Sequence, residues 1–393
     1  MISSDSFQSS GGQSMPRETG IAENIARLRL DRGMTQAALA EQVGVSRVAF
    51  GKIERGAVIP RAGTLSALAA ALGVPVRELV VPVRPLRRVR FRAHARMYGR
   101  EQTLAEVSRW LDDYAWLESE LGESRDFKFR RLVAENRSRP WDEVAQSARE
   151  IAGLEPGTLV PNICRLLEDS GVKVLLLHKQ RDSFFGLSVG PEDGGPAVVV
   201  NVWDRISVER WIFTAAHELG HLLLHPGEFE REATDLPTVT EREADRFASE
   251  FLMPESAFRT EWAATRGYPL VDRVLMVKRI FRVSYQTVLH RLVQGGHEGF
   301  AVWGVFRSQY RNRSGKTLEK RDEPEALHTS EFGWKWPRAG EPAALSKHDF
   351  PRDRLSSLVR QAVEEGRISL SRGAEIMGMH LEDMRGWARD WAG

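Results

Sequence analysis

The sequence is poor in cysteine. Cys164 is the single cysteine in 393 residues, so the chain cannot form an internal disulfide or a cysteine-rich metal cluster. So low a cysteine content is typical of a reducing compartment. No stretch approaches the roughly 20 consecutive apolar residues of a membrane span, and residues 1–19 lack the apolar core of a signal peptide. We therefore expect a cytoplasmic protein with no membrane partner, and a disordered leader at 1–19.

Net charge is also low, at +2, so total charge does not indicate a nucleic-acid partner. The distribution is uneven, because seven arginines and no acid fall between residues 84 and 100: Arg84, Arg87, Arg88, Arg90, Arg92, Arg96 and Arg100. Such a run can lie along a phosphate backbone, or it can be a solvated linker. Both interpretations stay open.

Composition and periodicity divide the rest of the chain into four segments. Residues 20–80 are predicted to form a compact helical domain, and 81–100 a basic linker. Residues 101–300 mix helix and strand patterns, and 301–393 form a C-terminal region that ends in a small helical domain. The sequence thus predicts a multidomain protein with an all-α N-terminal domain, an α+β domain and a helical C-terminal region.

Within the mixed segment, short apolar runs predict a small sheet. These runs are VKVLLL at 172–177, FFGLSV at 184–189 and AVVVNV at 197–202. Apolar residues at three- and four-residue spacing predict a helix over 208–224. A second helix is predicted over 240–251, with Thr240 and Glu243 as a capping box and Pro254 closing it.

Helix-capping signals in the first domain predict two short helices joined by a tight turn. Thr35 is placed to cap the first helix, Gly44 to make the turn, and Ser46 to cap a second helix that ends at Gly56. Apolar residues are spaced to bury one core between these helices: Leu39, Val43, Val45, Phe50 and Ile53. This arrangement is typical of a helix-turn-helix, and Glu54 is interpreted as structural, pairing with an arginine or capping the fold.

The segments TQAALA, GVS, KIERG and TLSALAAALGV resemble the XRE, or lambda-repressor-like, DNA-binding family. The resemblance implies that the helix from Ser46 enters the major groove of a double-stranded operator. The residues expected at the DNA are Gln36, Ser46, Arg47, Val48 and Lys52. It also implies a homodimer, since one module usually binds two half-sites as a dimer. The alternative is a module that contacts only proteins.

The chemical signal with the most specific spacing is HELGH at residues 217–221. On a helix, His217 and His221 lie one above the other, so both imidazoles can bind one Zn²⁺. A catalytic zinc takes three protein ligands and keeps one position for water. Glu218 lies beside the ion and is predicted to be the catalytic base.

A third ligand is expected from the following helix, EREADRFASEFLMP. Glu241 can complete a His₂Glu site, and Asp245, on the same face, can accept a hydrogen bond from a ligand histidine. Glu243 points about 200° away from Glu241 around the helix, so both cannot be ligands. His225 is interpreted as a satisfied helix end rather than as a ligand.

HELGHLLLH followed by ExEAxxFAxxFLMP resembles the ImmA/IrrE family of metallopeptidases over residues 162–254. The resemblance implies a zincin-like fold and one Zn²⁺ per chain held by His217, His221 and Glu241, with Mn²⁺ as an open alternative. The family's usual Asn is Asp245 here, which adds negative charge near the metal. The resemblance also implies that one of the predicted strands pairs with an extended peptide substrate.

Together, the two resemblances imply a transcriptional regulator with zinc-dependent endopeptidase activity. Its substrate would be a repressor-like protein of a stress or mobile-element response. The competing hypothesis is a non-catalytic XRE-family transcription factor, or an antitoxin, whose peptidase-like domain senses a ligand or metal. The residues alone leave both hypotheses open, because metal ligands do not prove turnover.

Overall fold

The computed structural model describes residues 20–86, 88–93, 99–135, 139–181, 183–228, 238–319, 321–327, 344–351 and 354–391. The chain divides into two compact units, residues 1–85 with 98–108, and residues 86–97 with 109–393. The predicted leader, 1–19, lies outside the described residues. Among the residues described, no helix is long and apolar enough to cross a bilayer.

The first unit is built from short helices. They are α1 (Ile21–Asp31), α2 (Gln36–Val43), α3 (Arg47–Glu54), α4 (Ala62–Leu72) and α5 (Arg77–Val80). The predicted caps are confirmed. Thr35 Oγ1 accepts from the Ala38 backbone N at 3.1 Å, and Ser46 Oγ accepts from the Ala49 backbone N at 3.1 Å. Gly44 ends α2 in the left-handed region, with φ of 74°, whereas α3 ends at Glu54, two residues before the predicted Gly56.

The core of the first unit lies between these helices. Leu39, Phe50 and Ile53 are buried, and Val43 and Val45 pack against them while partly exposed. Apolar side chains from α1 and α4 close the same core: Ile25, Leu28, Leu68 and Leu72. The predicted helix-turn-helix core is therefore confirmed.

A four-stranded sheet lies in the second unit, in the order β1-β3-β4-β2. Its strands are β1 (Val89–Ala93), β2 (Lys173–Leu177), β3 (Phe184–Val189) and β4 (Ala197–Asn201). β3 is antiparallel to both neighbours, while β4 and β2 are parallel. The three strands predicted from apolar runs are present, with ends within a residue of the predicted ones.

Strand β1 corrects the interpretation of 81–100 as a linker. Its sequence VRFRA alternates apolar and basic residues, which is the two-residue period of a strand. The density of arginines concealed that period. The segment is therefore neither wholly a solvated linker nor a free basic run, because Val89 and Arg90 are both buried.

The remaining helices include the two that carry the predicted metal motifs. They are α6 (Arg100–Leu121), α7 (Arg130–Glu135), α8 (Trp141–Ile151), α9 (Ile163–Asp169), α10 (Val208–Leu224), α11 (Thr238–Leu252), α12 (Glu255–Ala264), α13 (Leu270–Phe281), α14 (Tyr285–Gln294), α15 (Val302–Ser314), α16 (Arg354–Glu364), α17 (Leu370–Met377) and α18 (Leu381–Arg389). Helix α10 has the predicted ends. Helix α11 begins at Thr238, so the predicted capping box at Thr240 is wrong: Thr240 lies inside the helix, and its hydroxyl accepts a hydrogen bond from Arg90.

Helix α10 packs between the sheet and α11 at two glycines. A Cβ added at Gly220 would lie 2.9 Å from Phe247 Cδ1 on α11. A Cβ added at Gly186 of β3 would lie 2.6 Å from Thr214 Cγ2 and 3.3 Å from Glu218 Cγ, both on α10. These positions have no room for a side chain, so they set how closely α10 approaches its neighbours.

Candidate metal centre and nucleic-acid interface

The structure brings His217 and His221 of α10 together with Glu241 of α11. The two imidazole Nε2 atoms lie 2.9 Å apart. Glu241 Oε2 lies 3.5 Å from His217 Nε2, and Glu241 Oε1 lies 3.3 Å from His221 Nε2. Both histidines are buried, and the Glu241 side chain is 15% exposed. One nitrogen from each histidine and one oxygen from the carboxylate thus lie within 4.8 Å of one another.

These separations fit a single zinc ion. Zinc binds imidazole nitrogen and carboxylate oxygen at about 2.0–2.2 Å in tetrahedral geometry, which places neighbouring ligand atoms roughly 3.3 Å apart. The two imidazole nitrogens lie 2.9 Å apart, and each lies 3.3–3.5 Å from one of the two Glu241 carboxylate oxygens. A His₂Glu set also leaves a fourth position open, as a catalytic zinc requires.

Burial favours the metal-binding form of His221. Removal from water disfavours the imidazolium and holds the pKa of His221 well below its usual 6.5, although the bond to Glu241 acts in the opposite direction. His217 and Arg90 add to the lowering of this pKa. The neutral imidazole is the form that binds metal, so the site presents a ligand rather than a cation.

Each histidine is held through its other nitrogen. His217 Nδ1 lies 2.8 Å from Asp245 Oδ1. His221 Nδ1 lies 3.1 Å from His225 Nδ1, and His225 Nε2 lies 2.9 Å from Glu243 Oε2. Each histidine is thus connected to a carboxylate, directly for His217 and through His225 for His221, an arrangement that fixes ring orientation.

His225 and Glu243 were missed as parts of the site. The signal for His225 was its spacing of four residues from His221, which puts both rings on one face of α10. The prediction that Glu243 turns away from Glu241 is consistent with the structure, where its carboxylate is directed to His225. Which residue Glu243 contacts depends on how α10 and α11 cross, and the spacing of residues along the sequence does not determine that crossing.

Glu218 points toward the sheet from beside the two histidines. It is buried, and its Oε2 accepts a hydrogen bond from Ser188 Oγ of β3 at 2.9 Å. Ser188 is therefore a third residue that sequence reasoning missed. Its hydroxyl fixes the orientation of the Glu218 carboxylate.

Arg90 is the fourth missed residue, and it comes from β1. Only 1% of Arg90 is exposed. Its Nη2 donates to Thr240 Oγ1 at 2.6 Å and to Glu241 Oε1 at 3.2 Å. A buried arginine thus contacts the carboxylate of the candidate ligand and the residue before it on α11.

The predicted DNA-facing residues lie around α3 in the first unit. Ser46, Arg47, Val48 and Lys52 are exposed, and Val48 is an apolar side chain with 71% exposure. Gln36 is half-buried, and its amide donates to Glu54 Oε2.

Glu54 also accepts from Arg29 Nε at 2.6 Å, so the structural interpretation of Glu54 is supported by the ion pair it makes. Gln36 is held to the end of α3 by the same carboxylate. Four of the five predicted residues are therefore exposed to solvent, and the fifth, Gln36, is held by Glu54.

Comparison with known proteins gives two matched ranges. Residues 167–293 match the IrrE N-terminal-like domain of the Peptidase M78 family, and residues 25–79 match a helix-turn-helix family. The first range holds β2, β3, β4, α10 and α11, and the second holds α2 and α3, whereas β1 lies outside both.

Similar proteins were found for the N-terminal region and for the whole chain. An HTH-type transcriptional regulator of Sinorhizobium fredii, y4dJ, is 42% identical over 62 residues, which are 16% of this chain and 80% of the relative. The crystal structure of Bacillus thuringiensis PlcR in complex with the peptide PapR7 and DNA is 12% identical, with 95% of this chain and 98% of that chain covered and a TM-score of 0.18. A TM-score this low does not indicate a shared fold.

Proposed function

Because the chain belongs to the helix-turn-helix transcriptional regulators and carries an IrrE N-terminal-like domain, we propose that it is a DNA-binding regulator with zinc-dependent endopeptidase activity. The observation that carries this proposal is the convergence of His217, His221 and Glu241, with all ligand atoms within 4.8 Å of one another. Glu218 lies beside them, with its carboxylate held by Ser188.

Each residue of the site has a separate role in the proposed reaction. When bound, zinc supplies Lewis-acid polarisation of a peptide carbonyl and of water. Glu218 accepts the proton of the attacking water and passes it to the leaving amine. Asp245 and the His225–Glu243 pair hold the imidazoles in the orientation that binding requires. Two imidazoles and one carboxylate suit zinc, and Mn²⁺ is the competing ion.

The substrate class and the partners complete the proposal. The substrate is a repressor-type protein of a stress or mobile-element response. The exposed surface formed by Ser46, Arg47, Val48 and Lys52 binds a double-stranded operator, and a homodimer of this chain spans two half-sites. Both partners place the protein in the cytoplasm.

The test compares the zinc-loaded wild type with Glu218→Gln on a proteome-derived peptide library, with new termini read by mass spectrometry. We expect cleavage by the wild type and a loss of about 10²–10⁴-fold in Glu218→Gln, the usual contribution of a general base. Glu382→Gln removes an exposed carboxylate on α18 and serves as the matched control. A wild type that holds zinc and binds DNA but cleaves nothing would favour the non-catalytic sensor.

A further inference from the structure

Strand β3 lies beside the candidate catalytic residue Glu218, and strand β1 covers the outer edge of β3. Gly186 packs against α10 next to Glu218, and Ser188 donates to the Glu218 carboxylate. One edge of β3 pairs with β4, and the other pairs with β1. The edge of the sheet at which an extended peptide would be added is therefore taken by residues 89–93 of the same chain.

The register of β1 directs one of its side chains into the metal centre. Arg90 pairs with Ser188, and directly opposed residues of an antiparallel pair project to the same face of the sheet. Ser188 reaches Glu218 on that face, and Arg90 reaches Thr240 and Glu241. Strand β1 thus crosses the site and places an arginine against a ligand carboxylate.

Strand β1 also stands apart from the rest of the sheet. The IrrE-like match covers β2, β3 and β4 within residues 167–293 and leaves β1 outside. The residues up to 85 and those at 98–108, on either side of β1, belong to the other unit. The pairing with β3 is short and shifts register between Phe91 and Ala93. So short an edge strand contributes few backbone hydrogen bonds to the sheet.

We propose that the outer edge of β3 is the substrate-binding cleft and that Val89–Ala93 fills it as an internal competitor. The substrate is then an extended segment of another protein that replaces β1 and carries an arginine where Arg90 lies. Addition of a strand to a sheet edge supplies backbone hydrogen bonds, and the hydroxyl of Thr240 with the Glu241 carboxylate selects the guanidinium. This inference rests on the proposed peptidase function and names the substrate class and regulation of its site.

The internal strand lowers the apparent affinity for substrate. A tethered segment acts at an effective concentration on the order of millimolar. The apparent affinity for the substrate is the affinity of the open cleft multiplied by the fraction of molecules in which the cleft is open. A change that releases β1 therefore raises peptide affinity without altering the cleft itself.

A reversible disulfide can hold β1 in place. The Gly190 backbone N donates to the Arg88 carbonyl at 2.8 Å, so Val89 and Val189, one step along the ladder, form a non-hydrogen-bonded pair. Cα atoms of such pairs lie about 4.5 Å apart, within disulfide range. The full chain with Val89→Cys and Val189→Cys is therefore locked when oxidised and free when reduced, and Cys164 is buried.

The experiment measures fluorescence anisotropy of a labelled peptide with the sequence LRRVRFRA of residues 86–93. The protein is the full chain with Glu218→Gln, which prevents cleavage. We expect the reduced double-cysteine variant to bind at least about ten-fold more tightly than the oxidised one, following the open fraction. The protein with Arg90→Ala should also bind more tightly than its parent, and a peptide carrying Arg90→Ala should bind about ten-fold more weakly.

Equal binding by the oxidised and reduced forms would show that the peptide binds elsewhere. Absence of binding to both the reduced form and the Arg90→Ala protein would show that β1 is a permanent strand of the sheet. Either result overturns the inference. Since binding requires no turnover, the two failures can be told apart. A reduced double-cysteine chain with Glu218 intact that binds the peptide but cleaves nothing would contradict the peptidase function alone.

Discussion

Three acidic residues on α11 each contact a histidine at the candidate metal centre. Glu241 lies against both imidazoles, Asp245 against His217, and Glu243 against His225. Residues four apart share a helix face, and a residue two positions on faces elsewhere. This geometry separates Glu243 from the other two acids. Glu241 and Asp245 both contact His217, and Glu243 contacts His225 instead.

At the residue scale, His225 is predicted to position His221. His225→Ala removes the partner of His221 Nδ1, so zinc affinity should fall by about 10–100-fold, as is usual for loss of such a support. The measurement is zinc competition against a chromogenic chelator. Glu243→Gln keeps an oxygen acceptor for His225 and should lose less affinity. Unchanged zinc affinity in His225→Ala would limit His225 to ending the helix.

At the element scale, the approach of β3 to α10 depends on a position without a side chain. A Cβ at Gly186 would lie 2.6 Å from Thr214 Cγ2 and 2.7 Å from the Val199 carbonyl oxygen. Gly186→Ala should therefore cost about 1–3 kcal/mol of unfolding free energy, as overpacking does. Denaturant unfolding measures this cost.

The control for this prediction is Gly304→Ala on the exposed side of α15. An added Cβ there meets nothing within 4 Å, so the substitution should stabilise by about 0.5–1 kcal/mol through helix propensity. Equal changes in unfolding free energy for the two substitutions would mean that β3 and α10 leave room for a side chain at Gly186.

Helix α3 makes a separate prediction at the element scale. Arg47→Ala should weaken binding to a selected operator by about 1–3 kcal/mol if the guanidinium contacts a base. Lys52→Ala should lower the slope of log binding constant against log salt concentration by about 1, which corresponds to one phosphate contact. Gel-shift titrations at several salt concentrations measure both effects. Arg77→Ala removes an exposed arginine from α5 and should leave affinity unchanged. Loss of affinity in that variant equal to the loss in Arg47→Ala would argue against a specific face.

At the scale of the whole second unit, a buried charge network joins distant parts of the chain. Lys278 Nζ lies 2.9 Å from Glu209 Oε1 and 3.1 Å from Glu323 Oε1. Tyr285 N also donates to Glu323 at 2.9 Å. Burial raises the pKa of Glu323 from 4.5 to about 7, with Lys278 opposing and Glu209 adding to the rise. Two carboxylates therefore share one ammonium in a dry environment.

This network predicts how stability depends on pH. The folded chain holds the Glu323 proton more tightly than the unfolded chain, so the contribution of Glu323 is full below a pH of 4.5 and is lost as pH rises through about 7. Glu323→Gln should remove this loss, so its stability relative to the wild type should rise between about pH 5 and about pH 8. Urea unfolding across that range measures the difference, and parallel curves would contradict the assignment.

The sequence predicted the elements whose pattern is local. The caps at Thr35 and Ser46, the three apolar strands and both ends of α10 depend on neighbouring residues. Strand β1 depends on pairing with β3, almost a hundred residues later in the chain, and its arginines outweighed its alternation. Arg90 and Ser188 could not be placed at the site for the same reason, because only the register of β1 against β3 brings them there.

The most direct test of the central claim is zinc content and affinity of the purified full chain beside Glu241→Ala and Glu218→Gln. We predict about one zinc per wild-type chain, retained by Glu218→Gln and lost by Glu241→Ala. Retention by Glu218→Gln would show that the base is not a ligand. A wild type without zinc, or a Glu241→Ala variant that holds zinc as tightly as the wild type, would contradict the assignment of His217, His221 and Glu241 as the metal centre.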